Sequence, residues 1–235
     1  MEGDWDKNAE AWIDHVGTRG DFSREFVLDP AMLARVRTGA FKSALDVGCG
    51  EGRFCRMLAK ENIAAIGVDP TEALLAEARR RDPCGDYRLG HAEALSFGND
   101  SFDLVVSYLT LIDIEDFRTG LREMARVLAP GGRLLVANVS SYFTAGPADG
   151  ARNTAFKSGS GFPIDHYFEE RSEEVRIGKF RVRNWHRPLS AYMECFLTLG
   201  LKLTFFGEPL PIGGDPVLQR ALGRVPPFAI LEWEK

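Results

Sequence analysis

A short strand that runs into a glycine-rich loop constrains the fold of this chain more than any other feature. Residues 43–47 (SALDV) lead directly into the loop at 48–52 (GCGEG), and residues 53–60 have a helical pattern. A second apolar strand, 63–68, ends at Asp69-Pro70. Glycines allow a tight turn and let a ligand touch the backbone, and the following helix points free N–H groups at that ligand. These residues therefore predict two strands of a parallel sheet joined through a ligand-binding loop.

Strand and helix patterns alternate through the first 138 residues. Short apolar strands separated by amphipathic helices are typical of a parallel sheet with helices on both faces. Asp29 is predicted to cap one helix, with Pro30 in its first turn. The strands are predicted at 86–89, 102–107 and 133–138, and the helices at 5–16, 29–39, 71–81 and 116–128.

Residues 140–188 break this alternation. They are rich in glycine, serine and aromatic residues, and 167–171 and 175–182 alternate in a way that predicts a β-hairpin. A helix at 189–199 and a closing antiparallel pair at 201–206 and 228–233 follow. We therefore predict one α/β domain over 1–235, with a β-rich insertion after the fifth strand that caps the substrate side.

Composition excludes several function classes. The chain has 235 residues, 45% of them hydrophobic, and a formal net charge of -5, which disfavours bulk electrostatic binding of nucleic acid. Its apolar stretches are too short to span a bilayer, and MEGDWDKNAE is unlike a signal peptide. The four cysteines and four histidines do not form a metal-ligand pattern. We expect a cytoplasmic protein with no metal and no membrane span.

The spacing of the loop distinguishes two classes of ligand. Dinucleotide-binding loops have the spacing G-x-G-x-x-G and hold a pyrophosphate, whereas Gly48, Gly50 and Gly52 follow G-x-G-x-G behind the carboxylate of Asp46. That carboxylate would repel a pyrophosphate and attract a cation. Asp69, at the end of the second strand, is placed to accept hydrogen bonds from ribose hydroxyls. S-adenosylmethionine carries a ribose, a sulfonium and an amino group, so the charges favour it over a nicotinamide dinucleotide.

Five segments in order, LDVGCGEG, GVDP, AEALSF, SFDLVVS and REMARVLAPGGRLLVAN, resemble the class I S-adenosylmethionine-dependent methyltransferases, in the small-molecule subgroup often called type 11. The resemblance covers residues 43–138. It implies a Rossmann-like, doubly wound, seven-stranded sheet with strand order 3-2-1-4-5-7-6, in which the seventh strand is antiparallel. It also implies that the N-terminal segment 1–40 forms a helical lid.

The resemblance assigns cofactor-binding roles to residues of this chain. Those predicted to surround the methionine part are Asp46, Gly48, Cys49, Gly50 and Gly52, and Asp69 and Pro70 are predicted beside the ribose and adenine. The acidic residue that contacts the adenine in many relatives is replaced by His91. Either His91 stacks on or hydrogen-bonds to the adenine, or the Ala92 backbone and Glu93 make this contact. Ser107 is expected beside the methyl-donating end. Trp12 is interpreted either as a packing residue or as part of the lid over the cofactor.

Methyl transfer requires alignment, exclusion of water and, for a protonated acceptor, a base. The candidate bases are His166, His186 and Tyr108. His166 is flanked by an acid and aromatic residues, but a surface histidine on a hairpin has the same pattern. His186, together with Arg187, is interpreted either as catalytic or as an anchor for the insertion.

The sequence favours a methyltransferase that acts on an oxygen, nitrogen, sulfur or carbon atom of a small organic molecule by in-line displacement. The insertion is aromatic, which suits an organic substrate. Two alternatives stay open: an RNA or protein methyltransferase, and a non-catalytic member of the fold that binds the cofactor. The expected partner is a small-molecule acceptor, with no nucleic acid.

Overall fold

A seven-stranded sheet forms the centre of the computed structural model, which describes residues 4–146 and 161–235. The strand order is β3-β2-β1-β4-β5-β9-β8. Strands β1 to β5 pair in parallel, and β9 is antiparallel to both of its neighbours. This arrangement confirms the predicted doubly wound sheet and its strand order. The strands are β1 (Ser43–Val47), β2 (Ala64–Asp69), β3 (Asp86–Leu89), β4 (Phe102–Tyr108), β5 (Leu128–Val139), β8 (Lys202–Gly207) and β9 (Phe228–Glu234).

Helices cover both faces of this sheet. A five-residue π-helix, Arg24–Leu28, continues without a break into the second α-helix. None of the helices in the described ranges is long and apolar enough to cross a membrane. The α-helices are α1 (Asp4–Val16), α2 (Asp29–Val36), α3 (Arg53–Lys60), α4 (Glu72–Arg81), α5 (Phe117–Val127), α6 (Ser141–Thr144), α7 (Leu189–Thr198) and α8 (Pro216–Leu222).

Two apolar layers separate the sheet from its helices. Alternate residues of a strand point to opposite faces, and both faces of β1 and β4 are apolar. Leu45 and Val105 belong to the layer that includes Phe117 of α5. Leu104 belongs to the layer on the other face, which includes Met32 of α2. A sheet buried on both sides leaves the ends of its strands as the places where a ligand can bind.

Several local features differ from the predictions. Asp29 does not cap a helix, because the π-helix precedes it and its own backbone is helical. Strand β5 begins at Leu128 rather than at residue 133, with a shift in register between Phe102 and Leu104 of β4. The sequence analysis did not identify α6 or α8. Asp116 caps α5, since its carboxylate accepts a hydrogen bond from the Thr119 amide at 3.0 Å.

The insertion contains a hairpin, but not with the predicted strands 167–171 and 175–182. Its strands are β6 (Arg171–Ile177) and β7 (Phe180–His186), so the turn at 178–179 falls within the predicted second strand. The hairpin packs against the N-terminal helix α1. Phe180 makes edge-to-face contacts with Trp5 and Trp12, at 6.3 and 6.2 Å between ring centroids, and the Asn8 side chain donates a hydrogen bond to the Arg181 carbonyl at 2.9 Å. The part of the predicted insertion at 147–160 lies outside the described residues.

Candidate functional site

Two adjoining cavities lie at the carboxyl ends of the parallel strands. The first, which we call the loop cavity, has a volume of about 250 Å³ and is lined by the glycine loop and the ends of β2 and β4. The second, the cap cavity, has a volume of about 260 Å³ and is lined partly by the hairpin. They share five lining residues: Trp5, Trp12, Arg24, Leu109 and Asp113. Two ligands, one in each cavity, would therefore lie next to each other at this shared wall.

The glycine loop is held against Asp69 by hydrogen bonds. One oxygen of the Asp69 carboxylate accepts from the Gly50 amide and the other from the Thr71 amide, both at 2.9 Å. Burial raises the pKa of Asp69, and the two backbone donors oppose this effect. Each carboxylate oxygen has a second lone pair. Asp69 can therefore accept further hydrogen bonds from a ligand while the loop keeps it in a fixed orientation.

Two glycines of the loop have backbone angles that favour glycine. Gly48 has φ +75°, and a Cβ atom built there would lie 2.2 Å from Thr110 Cγ2. Gly50 has φ +54°, and a Cβ there would meet no atom within 4 Å, although Gly50 lines the loop cavity. The absence of a side chain at Gly50 thus leaves open space where a ligand can approach the backbone.

Asp46 is a buried carboxylate at the base of the loop cavity. Its Oδ2 lies 3.5 Å from the Cys55 sulfur, and its Oδ1 has no hydrogen-bond partner among the described residues. Burial raises the pKa of Asp46 to about 7, and the charges of Asp69 and Glu51 add to this effect. A buried polar atom without a partner is costly unless something binds it, so Asp46 is suited to a cationic group.

The charge of the loop cavity supports the same class of ligand. Two guanidinium groups, Arg24 and Arg53, face a larger set of carboxylates. Arg24 is paired with Asp21 at 2.6 Å, and Arg53 forms an ion pair with Asp29. The acidic lining residues are Asp46, Glu51, Asp69, Glu93, Asp113 and Glu115. A cleft with this excess of carboxylates attracts cations and repels a pyrophosphate.

The other residues predicted to bind the cofactor divide into two groups. Those that line the loop cavity are Trp12, Cys49, Pro70, His91, Ala92 and Glu93. Gly52 and Ser107 are not among the lining residues. Gly52 is the N-cap residue of α3 and has φ +74°, and a Cβ there would meet the Tyr87 ring at 2.4 Å. Ser107 is fully buried within β4, and its hydroxyl has no partner in the described part of the chain.

Tyr108 lines the loop cavity but is a poor base in this geometry. Its hydroxyl donates a hydrogen bond to Asp29 Oδ1 at 2.7 Å. Burial raises the pKa of Tyr108 well above its usual value, and the neighbouring Asp29 carboxylate adds to the effect. The phenol therefore stays protonated, and its contacts join the end of β4 to the start of α2 and, through Asp29, to Arg53 of α3.

The two candidate histidines have different surroundings. The His166 side chain is exposed, and its Nδ1 lies 2.9 Å from Glu169 Oε1, which raises its pKa. His166 lines neither of the two cavities, so its position favours the surface-histidine interpretation. His186 lines the cap cavity, but its Nδ1 lies 2.7 Å from Thr144 Oγ1 and its Nε2 lies 2.9 Å from the Tyr167 carbonyl. Both ring nitrogens are thus engaged, which favours the anchoring interpretation.

The end of β7 holds the loop that follows β4. The Trp185 amide donates to the Ile112 carbonyl at 2.7 Å. The buried Arg187 guanidinium donates to three carbonyls of the same loop, those of Leu111, Ile114 and Glu115, at 3.1, 2.7 and 2.8 Å. Its plane also lies over the Phe117 ring, 4.4 Å from the centroid. This anchoring fixes the segment 111–115 against the hairpin.

Asp113 lies in this anchored loop and is not among the functional residues predicted from the sequence. The structure places it in the wall shared by both cavities. Its position just after the fourth strand could have identified Asp113 from the sequence, since ligands bind at the carboxyl ends of the strands in such sheets. Leu109, which precedes it, has φ +58°, an uncommon angle for a residue other than glycine.

No group of three metal-ligating side chains is arranged to hold a metal ion within residues 4–146 and 161–235. None of the four cysteines forms a disulfide bond, and Cys49 and Cys55 are buried beside the glycine loop.

Comparisons with known proteins agree with this geometry. A family model described as "Methyltransferase domain" matches residues 45–136. Demethylmenaquinone methyltransferase of Corynebacterium glutamicum (strain R) is 38% identical over 100 residues, which are 43% of this chain. The chain thus spans 43% of the length of that curated relative.

Solved structures resemble the chain over a larger part of its length. An S-adenosylmethionine-dependent methyltransferase from Mesorhizobium loti has a TM-score of 0.72 and 25% identity, covering 88% of this chain and 96% of the other. The CcbJ methyltransferase from Streptomyces caelestis has a TM-score of 0.70 and 15% identity, covering 100% and 98%. The second similarity is one of fold alone.

Proposed function

We propose that this chain, which carries a domain of the class I S-adenosylmethionine-dependent methyltransferases, transfers a methyl group from that cofactor to a small organic molecule held in the cap cavity. The observation that carries the proposal is the wall shared by the two cavities. When bound, S-adenosylmethionine supplies an electrophilic methyl group on a cationic sulfur. The protein's contribution is to align the acceptor with it and to exclude water.

The residues of the loop cavity suit the parts of this cofactor. Asp69 would accept hydrogen bonds from the ribose hydroxyls, and Asp46 would neutralise the cationic methionine amino group. The open space beside Gly50 would admit the chain of the cofactor close to the backbone. His91, Ala92 and Glu93 would border the adenine.

The packing of the N-terminal helix against the hairpin supports the lid and cap roles. Trp5 and Trp12 of α1 line both cavities. The Arg24 guanidinium lies over the Trp12 ring, 4.5 Å from its centroid. The hairpin contributes Val175 and Ile177 to the cap cavity. These two elements would shield the reacting groups from solvent, which methyl transfer to a weak nucleophile requires.

The name of the curated relative, demethylmenaquinone methyltransferase, supports a small-molecule acceptor.

A direct test is to incubate the protein with an extract of its source organism and cofactor labelled at the methyl group. We expect label in the small-molecule fraction and much less label in a parallel sample that contains Asp69→Ala. Label in RNA or protein would contradict this proposal and indicate a macromolecular acceptor. Cofactor binding without any transfer would indicate a non-catalytic member of the fold.

Replacing Asp69 with alanine should weaken the binding of S-adenosylhomocysteine about 30-fold, or about 2 kcal/mol, because charge-assisted hydrogen bonds to the ribose would be lost. Isothermal titration calorimetry measures the change. Asp103→Ala is a matched control, since Asp103 also accepts two backbone hydrogen bonds, from Lys42 and Ser43 at 2.8 and 3.0 Å, but does not line either cavity. Equal affinities in the two variants would refute the ribose assignment.

The affinity for S-adenosylhomocysteine should fall about tenfold as the pH is lowered from 8 to 6. Asp46 has a raised pKa of about 7, so it is a carboxylate above pH 7 and protonated below. Only the carboxylate attracts the amino group of the ligand, so affinity is lost on the acidic side. Asp69 and Glu51 face the same group. In Asp46→Asn the pH dependence of the affinity should become much weaker, and a slope that persists unchanged would exclude Asp46 as its cause.

A further inference from the structure

We propose that Asp113 is the general base of the methyl transfer and takes its proton from an O–H or N–H group of the acceptor. This inference rests on the proposed function. It names the residue that activates the acceptor and the chemical class to which the acceptor belongs. Neither the family resemblance nor the sequence pattern assigned a role to Asp113.

The position of Asp113 carries the argument. A base for this reaction must reach the acceptor at the point where the acceptor meets the cofactor, which is the wall shared by the loop cavity and the cap cavity. Besides Asp113, this wall consists of Trp5, Trp12, Arg24 and Leu109. Indole is a donor only, guanidinium is a cation, and leucine is apolar. Asp113 is thus the one proton acceptor among the side chains that line both described cavities.

The Asn184 amide orients the Asp113 carboxylate. It belongs to β7 and donates to Oδ1 of Asp113 at 2.6 Å, and the Trp5 side chain of α1 is near enough to lower the pKa of Asp113. A carboxylate can accept about four hydrogen bonds, so this arrangement leaves capacity for the proton of a substrate. Because Asn184 belongs to the hairpin and Trp5 to the N-terminal helix, both elements contribute to the surroundings of the base.

Burial keeps Asp113 mostly protonated at neutral pH before a ligand binds. Together with the charge of Asp69, burial raises the pKa of Asp113 to about 8, and the Asn184 hydrogen bond, the Arg24 charge and the Trp5 side chain oppose this effect. A cation within about 4–6 Å lowers the pKa of a carboxyl group by roughly 1–3. The titratable groups that line the two cavities besides Asp69 and Arg24 are Asp21, Asp46, Cys49, Glu51, Arg53, His91, Glu93, Tyr108, Glu115, Glu173 and His186.

The proposed step balances in atoms and charge. The acceptor X–H gives its proton to the Asp113 carboxylate, and the electron pair on X forms the new X–CH₃ bond. The C–S bond breaks with its electron pair remaining on sulfur, which becomes a neutral thioether. A sulfonium and a carboxylate are thereby replaced by a thioether and a carboxylic acid. The buried site loses one charge of each sign, which a low-dielectric environment favours.

The cap cavity indicates the rest of the acceptor. Its walls are mainly aromatic and aliphatic, and the apolar members outside the shared wall include Val139, Phe143, Val175, Ile177, Trp185 and Phe228. A largely apolar molecule with one hydroxyl or amine directed at Asp113 matches this lining. An acceptor carbon without an acidic proton would have no use for this base.

The test compares S-adenosylmethionine with S-adenosylhomocysteine as ligands of the wild-type protein. Both carry the amino group that faces Asp46, but only the first carries the sulfonium that would face Asp113. Calorimetric titrations at pH 7.5 in phosphate and in Tris, which differ in ionisation enthalpy, give the number of protons released on binding. We expect S-adenosylmethionine to release roughly half a proton more than S-adenosylhomocysteine, because the sulfonium deprotonates Asp113.

Two variants show which carboxyl group causes the difference in proton release between the two ligands. In Asp113→Asn the difference between the ligands should disappear, and subtracting its titrations removes any proton that comes from the ligands themselves. In Asp46→Asn both ligands should bind more weakly, but the difference between them should remain. Equal proton release by the two ligands in the wild-type protein, or a difference that persists in Asp113→Asn, would overturn the assignment while leaving the proposed function intact. If neither ligand binds the folded protein, the proposed function itself fails.

Discussion

Replacing Arg187 with methionine is expected to lower the free energy of unfolding by about 3–5 kcal/mol, as measured when a buried, hydrogen-bonded charge is removed and its partners are left unsatisfied. Arg187 is 1% exposed and donates hydrogen bonds to three carbonyls of the loop 111–115. Methionine fills similar space but offers no donor. Chemical denaturation measures the loss, and S-adenosylhomocysteine binding should weaken as well, since the loop lines the cofactor site.

Arg118 provides a matched control for this substitution. Both arginines pair with Glu170, but the Arg118 side chain is 51% exposed. Exposed ion pairs contribute little, so Arg118→Met should cost less than about 1 kcal/mol. If Arg187→Met cost no more than Arg118→Met, the loop after β4 would not depend on the buried guanidinium.

Replacing Gly48 with alanine should reduce S-adenosylhomocysteine affinity by about 100-fold or more and lower the free energy of unfolding by about 2 kcal/mol. The new Cβ would lie 2.2–2.8 Å from three atoms of Thr110, so the loop or the end of β4 must move. The positive φ of Gly48 adds a backbone cost of about 1 kcal/mol. Calorimetric titration gives the first effect and denaturation gives the second.

Gly131→Ala separates the backbone cost from the clash. Gly131 also has φ +75°, but a Cβ there would meet no atom within 4 Å. It belongs to β5, away from the residues that line the two cavities. We expect Gly131→Ala to lose about 1 kcal/mol of stability and to bind S-adenosylhomocysteine normally. If Gly48→Ala behaved in the same way, close packing against Thr110 would not determine the shape of the loop.

The alternation of strands and helices was predictable because it is encoded locally. Most of the parallel strands contain a short apolar run, and the glycine loop with Asp69 indicates which strand ends form the crevice. The family resemblance supplied the order of the strands and the antiparallel direction of β9. The helix α8 was missed because its seven residues, Pro216–Leu222, are too few to show a clear periodicity.

The residues that line the loop cavity were more predictable than those that line the cap cavity, because they too are encoded locally. Asp46, Gly48, Gly50 and Asp69 are close together in sequence or lie at strand ends, and all of them line the loop cavity. The setting of Asp113 depends on Asn184 and Trp5, which are 71 and 108 positions away along the chain. Only the packing of α1 and the hairpin brings these residues together. The two histidines had suitable chemistry, but their placement also depends on contacts that periodicity does not reveal.

The central claim is that the loop cavity binds S-adenosylmethionine, and calorimetric titration with S-adenosylhomocysteine tests it most directly. The purified protein should first be stripped of cofactor and shown to be folded. We predict one site per chain with a dissociation constant in the micromolar range or below. The absence of binding in the folded protein, or tighter binding of a nicotinamide dinucleotide, would contradict the claim and leave only a resemblance of fold.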